Sequence, residues 1–203
     1  AVVNALLNVS SMVSELPEIV ELDINPLIVD DRGVMAVDAR IKACVSHQLS
    51  PYSHMTIHPY PHEMIQHYQL PNGMNICIRP IRPEDAEMEK DFVHKLSERS
   101  KYFRFMQALQ ELTPDMVVRF TQIDYDREMA FIAVTEEQDG RSNELGVGRY
   151  MANPDGHSVE FAVVVADDCH GMGIGSRIMK TLMQAAKYKG ISFFEGEVLA
   201  INK

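Results

Sequence analysis

Apolar residues at the head of the chain recur at helical spacing: Ala5, Leu6, Val9, Met12, Val13 and Leu16 share one face, and Pro17 stops the run. The period then changes. Ile19 to Val29 reads as a strand, Asp30-Asp31-Arg32-Gly33 carries turn chemistry, and Val34 to Ile41 returns as a second strand. One helix and one hairpin bury little, so residues 1–45 are expected to be the C-terminal fragment of a larger domain. Residues 46–75 are rich in Pro, His, Tyr and Gln, show no usable period, and end at the turn Pro71-Asn72-Gly73. They read as a linker. A second domain is expected over 76–203. It opens with the strand Ile76-Cys77-Ile78, then a helix started by Arg82-Pro83-Glu84-Asp85 with Met88, Phe92 and Leu96 as its stripe. Thr113-Pro114-Asp115 starts another helix that ends near Phe120. Strands over Ala130–Val134, Gly146–Met151 and Ser158–Val165, separated by Asp139-Gly140 and Pro154-Asp155-Gly156, predict an antiparallel meander. A helix over Ile174–Tyr188, closed by Gly190, and a strand over Phe193–Leu199 finish the chain.

Composition narrows the classes. The 203 residues are 46% hydrophobic with a formal net charge of -10, which argues against general nucleic-acid binding, since that rests on neutralising phosphates. Cys44, Cys77 and Cys169 are too widely spaced for a metal-ligand pair or a disulfide framework, so a reducing cytoplasm is expected. No apolar run approaches the roughly 20 residues that span a bilayer, and no signal peptide opens the chain, so no membrane role is expected. Both ends look cut, as in a fragment of a longer protein. Five histidines (His47, His54, His58, His62, His67) lie in the linker, but prolines interrupt any helix that would align them, and no metal site is assigned.

The most informative stretch is Val163-Val164-Val165-Ala166-Asp167-Asp168-Cys169-His170-Gly171-Met172-Gly173-Ile174-Gly175-Ser176, which joins the apolar strand to an amphipathic helix. Alternating glycines before a helix remove Cβ atoms from the path of a ligand and leave backbone N–H groups at the positive end of the helix dipole. That suits a pyrophosphate. A tight connection needing glycine only for packing is one alternative. A dinucleotide site is another, since Gly171, Gly173 and Ser176 approach GxGxxG and Glu195 follows about twenty residues on. The glycines come several residues after the strand, however, and the preceding strands read as antiparallel.

The strand, the run Asp-Asp-Cys-His-Gly-Met-Gly-Ile-Gly and the helix together resemble the acetyl-CoA signature of GNAT acetyltransferases, Q/R-x-x-G-x-G/A. His170 stands at the Gln/Arg position, and Gly173 and Gly175 match the small positions. More closely, Ile78-Arg79-Pro80-Ile81-Arg82-Pro83-Glu84-Asp85, Ser100-Lys101-Tyr102-Phe103-Arg104-Phe105 and Gln122-Ile123-Asp124-Tyr125-Asp126-Arg127-Glu128 resemble the bacterial protein lysine acetyltransferases. In that family a GNAT domain follows a large domain related to NDP-forming acyl-CoA synthetases. Glu21-Leu22-Asp23-Ile24-Asn25-Pro26-Leu27 and Val37-Asp38 are similar to the end of the ATP-grasp part of such synthetases, where Asn25 and Asp38 would match ligands of nucleotide-associated magnesium. As turn and strand-end residues they need no such role. The resemblance implies an α/β (α+β) GNAT fold, a mixed, largely antiparallel sheet flanked by helices and C-terminally truncated. It also implies fusion to a larger synthetase-like domain in the parent protein.

The same resemblance implies that acetyl-CoA is the co-substrate. Backbone groups of Val163 and Val165 would pair with its pantetheine arm. Gly171, Gly173, Ile174, Gly175 and Ser176 would hold its pyrophosphate, with His170 as a donor whose charge depends on pH and Asn202 near the cofactor. The family often uses a Tyr beyond the last strand to protonate the leaving thiolate; the chain ends before that position. A lysine amine has an unperturbed pKa of ~10.4, so acetyl transfer near pH 7 needs a base. Glu160, a lone acid at the start of an apolar strand, is the candidate, because desolvation there would raise a carboxylate's pKa; a solvated strand-end glutamate is the plainer reading. Glu128 and Asp126 are second choices, and Cys169 has no evident base to make it a nucleophile. The expected activity is N-acetyl transfer to a lysine of a protein substrate. A GNAT acting on a small amine and an acetyl-CoA-sensing regulatory domain are the alternatives.

Overall fold

The structure, a computed structural model, describes residues 1–45, 52, 54, 55, 58–135, 142–199 and 201. The chain divides into two compact units, Ala1–Pro59 and Tyr60–Lys203. The first contains α1 (Val2–Glu15), β1 (Ile19–Ile24), β2 (Leu27–Asp30), β3 (Gly33–Ala36) and β4 (Ala39–Ala43). β1 pairs with β4 and β2 with β3, both antiparallel. The two long strands expected here are each broken. Pro26 has no N–H for a ladder, so the first run stops at Ile24 and restarts at Leu27. The turn over Asp30–Gly33 forms as its residues predict, with Asp30 Oδ1 accepting from the N–H of Arg32 (2.9 Å) and of Gly33 (3.0 Å). None of residues 1–45 is buried, as a lone helix and short hairpins lead one to expect.

The second unit contains β5 (Gln66–Gln69), β6 (Asn75–Pro80), α2 (Ala86–Lys95), α3 (Glu98–Phe105), α4 (Pro114–Thr121), β7 (Glu128–Thr135), β8 (Glu144–Ala152), β9 (Ser158–Val165), α5 (Ile174–Tyr188) and β10 (Phe193–Glu195). Its six-stranded sheet has the order β10-β9-β8-β7-β6-β5. The meander is antiparallel throughout, and β10 alone joins in parallel, beside β9. α5 and β9 have the bounds their patterns predict.

Three elements differ from expectation. β5 lies in the stretch read as linker: it is an edge strand of alternating polar and aromatic residues, paired Gln66 to Ile78 through Gln69 to Asn75, and carries too little apolar content to signal itself. α3 has a mostly polar surface and no apolar stripe; Ser97 starts it, its side chain accepting from the N–H of Ser100. β10 ends at Glu195 instead of Leu199.

Each sheet face has its own core. On one side Ile174, Ile178 and Leu182 of α5 pack on Met129, Phe131, Tyr150 and Val159. α5 approaches closely because β8 carries Gly148, where a Cβ would sit 2.3 Å from Ile178 Cγ2. On the other side Phe92, Val93 and Leu112 cover Ala130, Ile132, Val134 and Val147. α5 thus holds its N-terminus at the end of β9, where the glycine loop turns.

Candidate active site

Gly173 is the N-cap of α5, with φ +82°, and Gly171 has φ +78°. A Cβ at either would meet nothing within 4 Å. Glycine is therefore required by the left-handed backbone and not by packing, which removes the packing-only reading at these two positions. At Gly175 a Cβ would come 3.3 Å from Val165 Cγ2. The first intrahelical bond runs from Arg177 N–H to Gly173 O (3.1 Å), so the N–H groups of Ile174, Gly175 and Ser176 have no partner within the helix. No side chain caps them and no acid lies in the first turn. Val165, Cys169, His170, Gly171, Gly173, Ile174, Gly175 and Ser176 line a pocket of about 350 Å³. Free amides at a positive helix end, opening on a pocket clear of side-chain acids, are chemically suited to a phosphate-bearing ligand. Ile174 contributes backbone only, since its side chain is in the core.

β9 pairs with β8 from Val159 to Val165, but with β10 only over Ser158–Glu160. Ala166 N–H donates to Leu145 O on the β8 side (2.9 Å). Because antiparallel residues alternate in direction, the amides and carbonyls of Val165 and Val163 point away from β8, toward the edge β10 has left open. The two valines thus present backbone groups beside the glycine loop. His170 Nε2 lies 3.1 Å from Val165 O, so a proton on that nitrogen donates to the carbonyl. The imidazole braces the loop against the strand end.

Glu160 is exposed, in a cleft of about 190 Å³ that also contains Arg104, Arg119, Glu128, Arg149 and Tyr150. The apolar burial expected around its carboxylate is not supplied by the described residues. Direct cross-strand pairs place Glu128, Met151, Glu160 and Glu195 in one row across four strands, on one face. Glu128 thus shares the cleft, whereas Asp126 forms an ion pair with Lys189 at 3.6 Å. Arg149 follows two residues before Met151 on that face. Its Nη2 lies 3.3 Å from Glu89 Oε1 and 3.4 Å from Phe120 O, and its guanidinium sits 4.3 Å from the Phe120 ring centre. Behind it, burial and the negative charge of Glu89 push the Glu144 carboxyl well up. Arg104 is held down to about 10 by burial and by the charge of Arg149. Sequence reading missed these arginines. A single cation inside the apolar run Gly146-Val147-Gly148-Arg149-Tyr150 was the available signal.

Cys169 is buried, and burial with the neighbouring Asp168 pushes its thiol up, which opposes a nucleophilic role. Asn202 lies outside the described residues, as does His47. Asn25 N–H donates to Asp38 O (3.1 Å), so the two residues are neighbours, and Asp38 pairs with Arg40 at 3.5 Å. Among the described residues no group of three or more His, Cys, Asp or Glu is placed to hold a metal ion, and no helix is long and apolar enough to cross a membrane.

Comparison with known proteins places these features. Residues 1–43 match an ATP-grasp domain, and residues 91–202 match the acetyltransferase (GNAT) family. Acetyltransferase PA5475 of Pseudomonas aeruginosa is 37% identical over 121 residues, covering 60% of this chain and 64% of that protein. Acetyltransferase Pat of Mycolicibacterium smegmatis is 29% identical over 137 residues, 66% of this chain and 39% of that protein. The chain therefore spans less than two thirds of the length of these curated relatives. Among solved structures, the GNAT domain of S. lividans PAT superposes with a TM-score of 0.64 at 28% identity, covering 71% of this chain and 84% of that one. GNAT acetyltransferases use acetyl-CoA, and an uncapped helix start beside an open strand edge fits that ligand's diphosphate and amide-bearing arm. The chain belongs to the GNAT acetyltransferase family.

Proposed function

We propose that this protein moves the acetyl group of acetyl-CoA to a lysine side chain of a protein substrate by direct attack, with Glu160 as general base. Bound acetyl-CoA would supply a thioester, whose carbonyl carbon bonds to the amine nitrogen while its bond to sulfur breaks and coenzyme A leaves as the thiolate. The amides of Ile174, Gly175 and Ser176 hold the diphosphate, while Gly171 and Gly173 keep the loop open. The outward amide and carbonyl of Val163 and the outward amide of Val165 align the arm along β9. His170 keeps the loop seated through Val165 O. Glu160 accepts the proton that the amine must lose, since near pH 7 fewer than about one lysine in a thousand is neutral.

One observation supports this reading above the others: Glu160 stands in a cleft on the same strand whose open edge runs into the glycine loop. Base and thioester site are thus fixed by one rigid element. Likeness to proteins named Pat and PAT supports a protein acceptor. Residues 1–45 are, on this reading, the tail of a larger synthetase-like domain joined to the acetyltransferase, 76–203. The test is transfer from labelled acetyl-CoA to lysine-bearing proteins by the full-length parent, with and without E160Q. E160Q is expected to bind coenzyme A normally and to lower turnover by about 10²–10⁴. Turnover equal to wild type removes Glu160 as the base.

A further inference from the structure

The cleft that contains Glu160 carries more positive charge than a bare amine acceptor needs. Arg104, Arg119 and Arg149 line it against two carboxylates, Glu128 and Glu160. Glu89 behind the cleft neutralises Arg149, which leaves Arg104 and Arg119 as cations that an amine acceptor by itself does not use.

The three arginines are not equivalent. Arg149 is committed: it contacts Glu89 and the Phe120 carbonyl and lies over the Phe120 ring, with 16% of its side chain exposed. Arg104 and Arg119 form no ion pair or hydrogen bond with any of the described residues. Arg104 comes from the last turn of α3 and is partly buried beside Arg149; Arg119 comes from the last turn of α4 and is exposed. Burial first lowers the basicity of Arg104 and of Arg149. Arg149 then lowers that of Arg104 while Glu89 and Glu160 support it. Glu89, Glu144 and Glu128 support Arg149 against Arg119, so the three guanidinium groups interact within one mixed field. A partly desolvated guanidinium with no hydrogen-bonded anion gains from an incoming carboxylate.

We propose that Arg104 and Arg119 select acceptor lysines that have an aspartate or glutamate next to them in sequence, the acid binding the two guanidinium groups while the lysine amine faces Glu160. This rests on the lysine-acceptor reading and names the substrate class within it. A forked guanidinium matches a carboxylate's two oxygens, which a lysine ammonium would not.

The experiment uses the full-length parent protein, acetyl-CoA and peptides of one length with a central lysine, whose immediate neighbours are Glu, Gln or Arg. kcat/KM is expected to be about tenfold or more higher for the Glu-flanked than for the Gln-flanked peptide, and lowest for the Arg-flanked one. In R104Q/R119Q the Glu-to-Gln ratio is expected to fall to about one. Because it is a ratio within a single protein, partial loss of folding does not move it. Raising the salt concentration should shrink it in the wild type. Acetylation of all three peptides without preference, or a preference that survives in R104Q/R119Q, overturns the proposal and leaves the lysine acceptor standing. Failure to acetylate any peptide overturns both.

Discussion

Gly173→Ala separates what the glycine loop costs from what it does. At φ +82° the residue sits in the left-handed region, where an L side chain costs roughly 1–2 kcal/mol. No neighbour lies within 4 Å of the added Cβ, so packing adds nothing to that figure. For a chain of this size about 1 kcal/mol corresponds to roughly 2–4 °C in Tm, so a loss of a few degrees is expected. Gly156 provides the control. It has φ +70° in the turn after Pro154, with equally open space around its Cβ position, and lies outside the glycine-loop pocket. G156A should lower Tm by a similar amount. The two variants part on ligand binding. In G173A the methyl group enters the loop that presents the amides of Ile174 to Ser176. Losing one hydrogen bond to a charged oxygen, worth about 1.5–3 kcal/mol, weakens binding about tenfold or more. The assay is calorimetric titration of coenzyme A into wild type, G173A and G156A, alongside thermal melts of each. Unchanged affinity in G173A, or an equal loss in G156A, would refute the assignment of this loop to the diphosphate.

The buried carboxyl behind Arg149 makes a pH-dependent prediction. Burial first, and then the charge of Glu89, raise the folded-state pKa of Glu144, with Arg149 opposing them and Asp85 adding to them. Above the ordinary carboxylate range and up to the raised folded-state value the native state holds the extra proton, so stability falls as pH rises through that window. E144Q removes that slope and is expected to gain on wild type in denaturant midpoint from pH 5 upward; parallel pH profiles would count against a proton held at this site. Gly148→Ala probes the seat of α5. Its Cβ would lie 2.3 Å from Ile178 Cγ2, 2.9 Å from Leu182 Cδ1 and 3.1 Å from Val163 Cγ2, an overpacking that costs about 1–3 kcal/mol in chemical denaturation. An unshifted midpoint would mean that α5 can lift without cost.

What the sequence determined by itself is what depends on neighbours along the chain. The apolar run of β9 and the 3.6-residue stripe of α5 each fix an element locally, and their ends were legible to the residue. The left-handed turns at Gly171 and Gly173 are equally local, since only backbone sterics decide them. The pocket at the glycine loop is assembled within one such strand-loop-helix unit, so it could be read from a single stretch. The cleft at Glu160 could not. Arg104, Arg119, Arg149 and Glu160 come from α3, α4, β8 and β9, and α3 announced itself by no apolar stripe. Cross-strand register alone puts Glu128 and Glu195 in the row of Glu160, because a shift of one residue would send each side chain to the opposite face. β5 is of the same kind: an edge strand of Gln, His, Tyr and Gln acquires its identity only from the hydrogen bonds β6 offers. Tertiary structure decided which charges meet, because the fields that set their chemistry act through space between segments the chain keeps far apart.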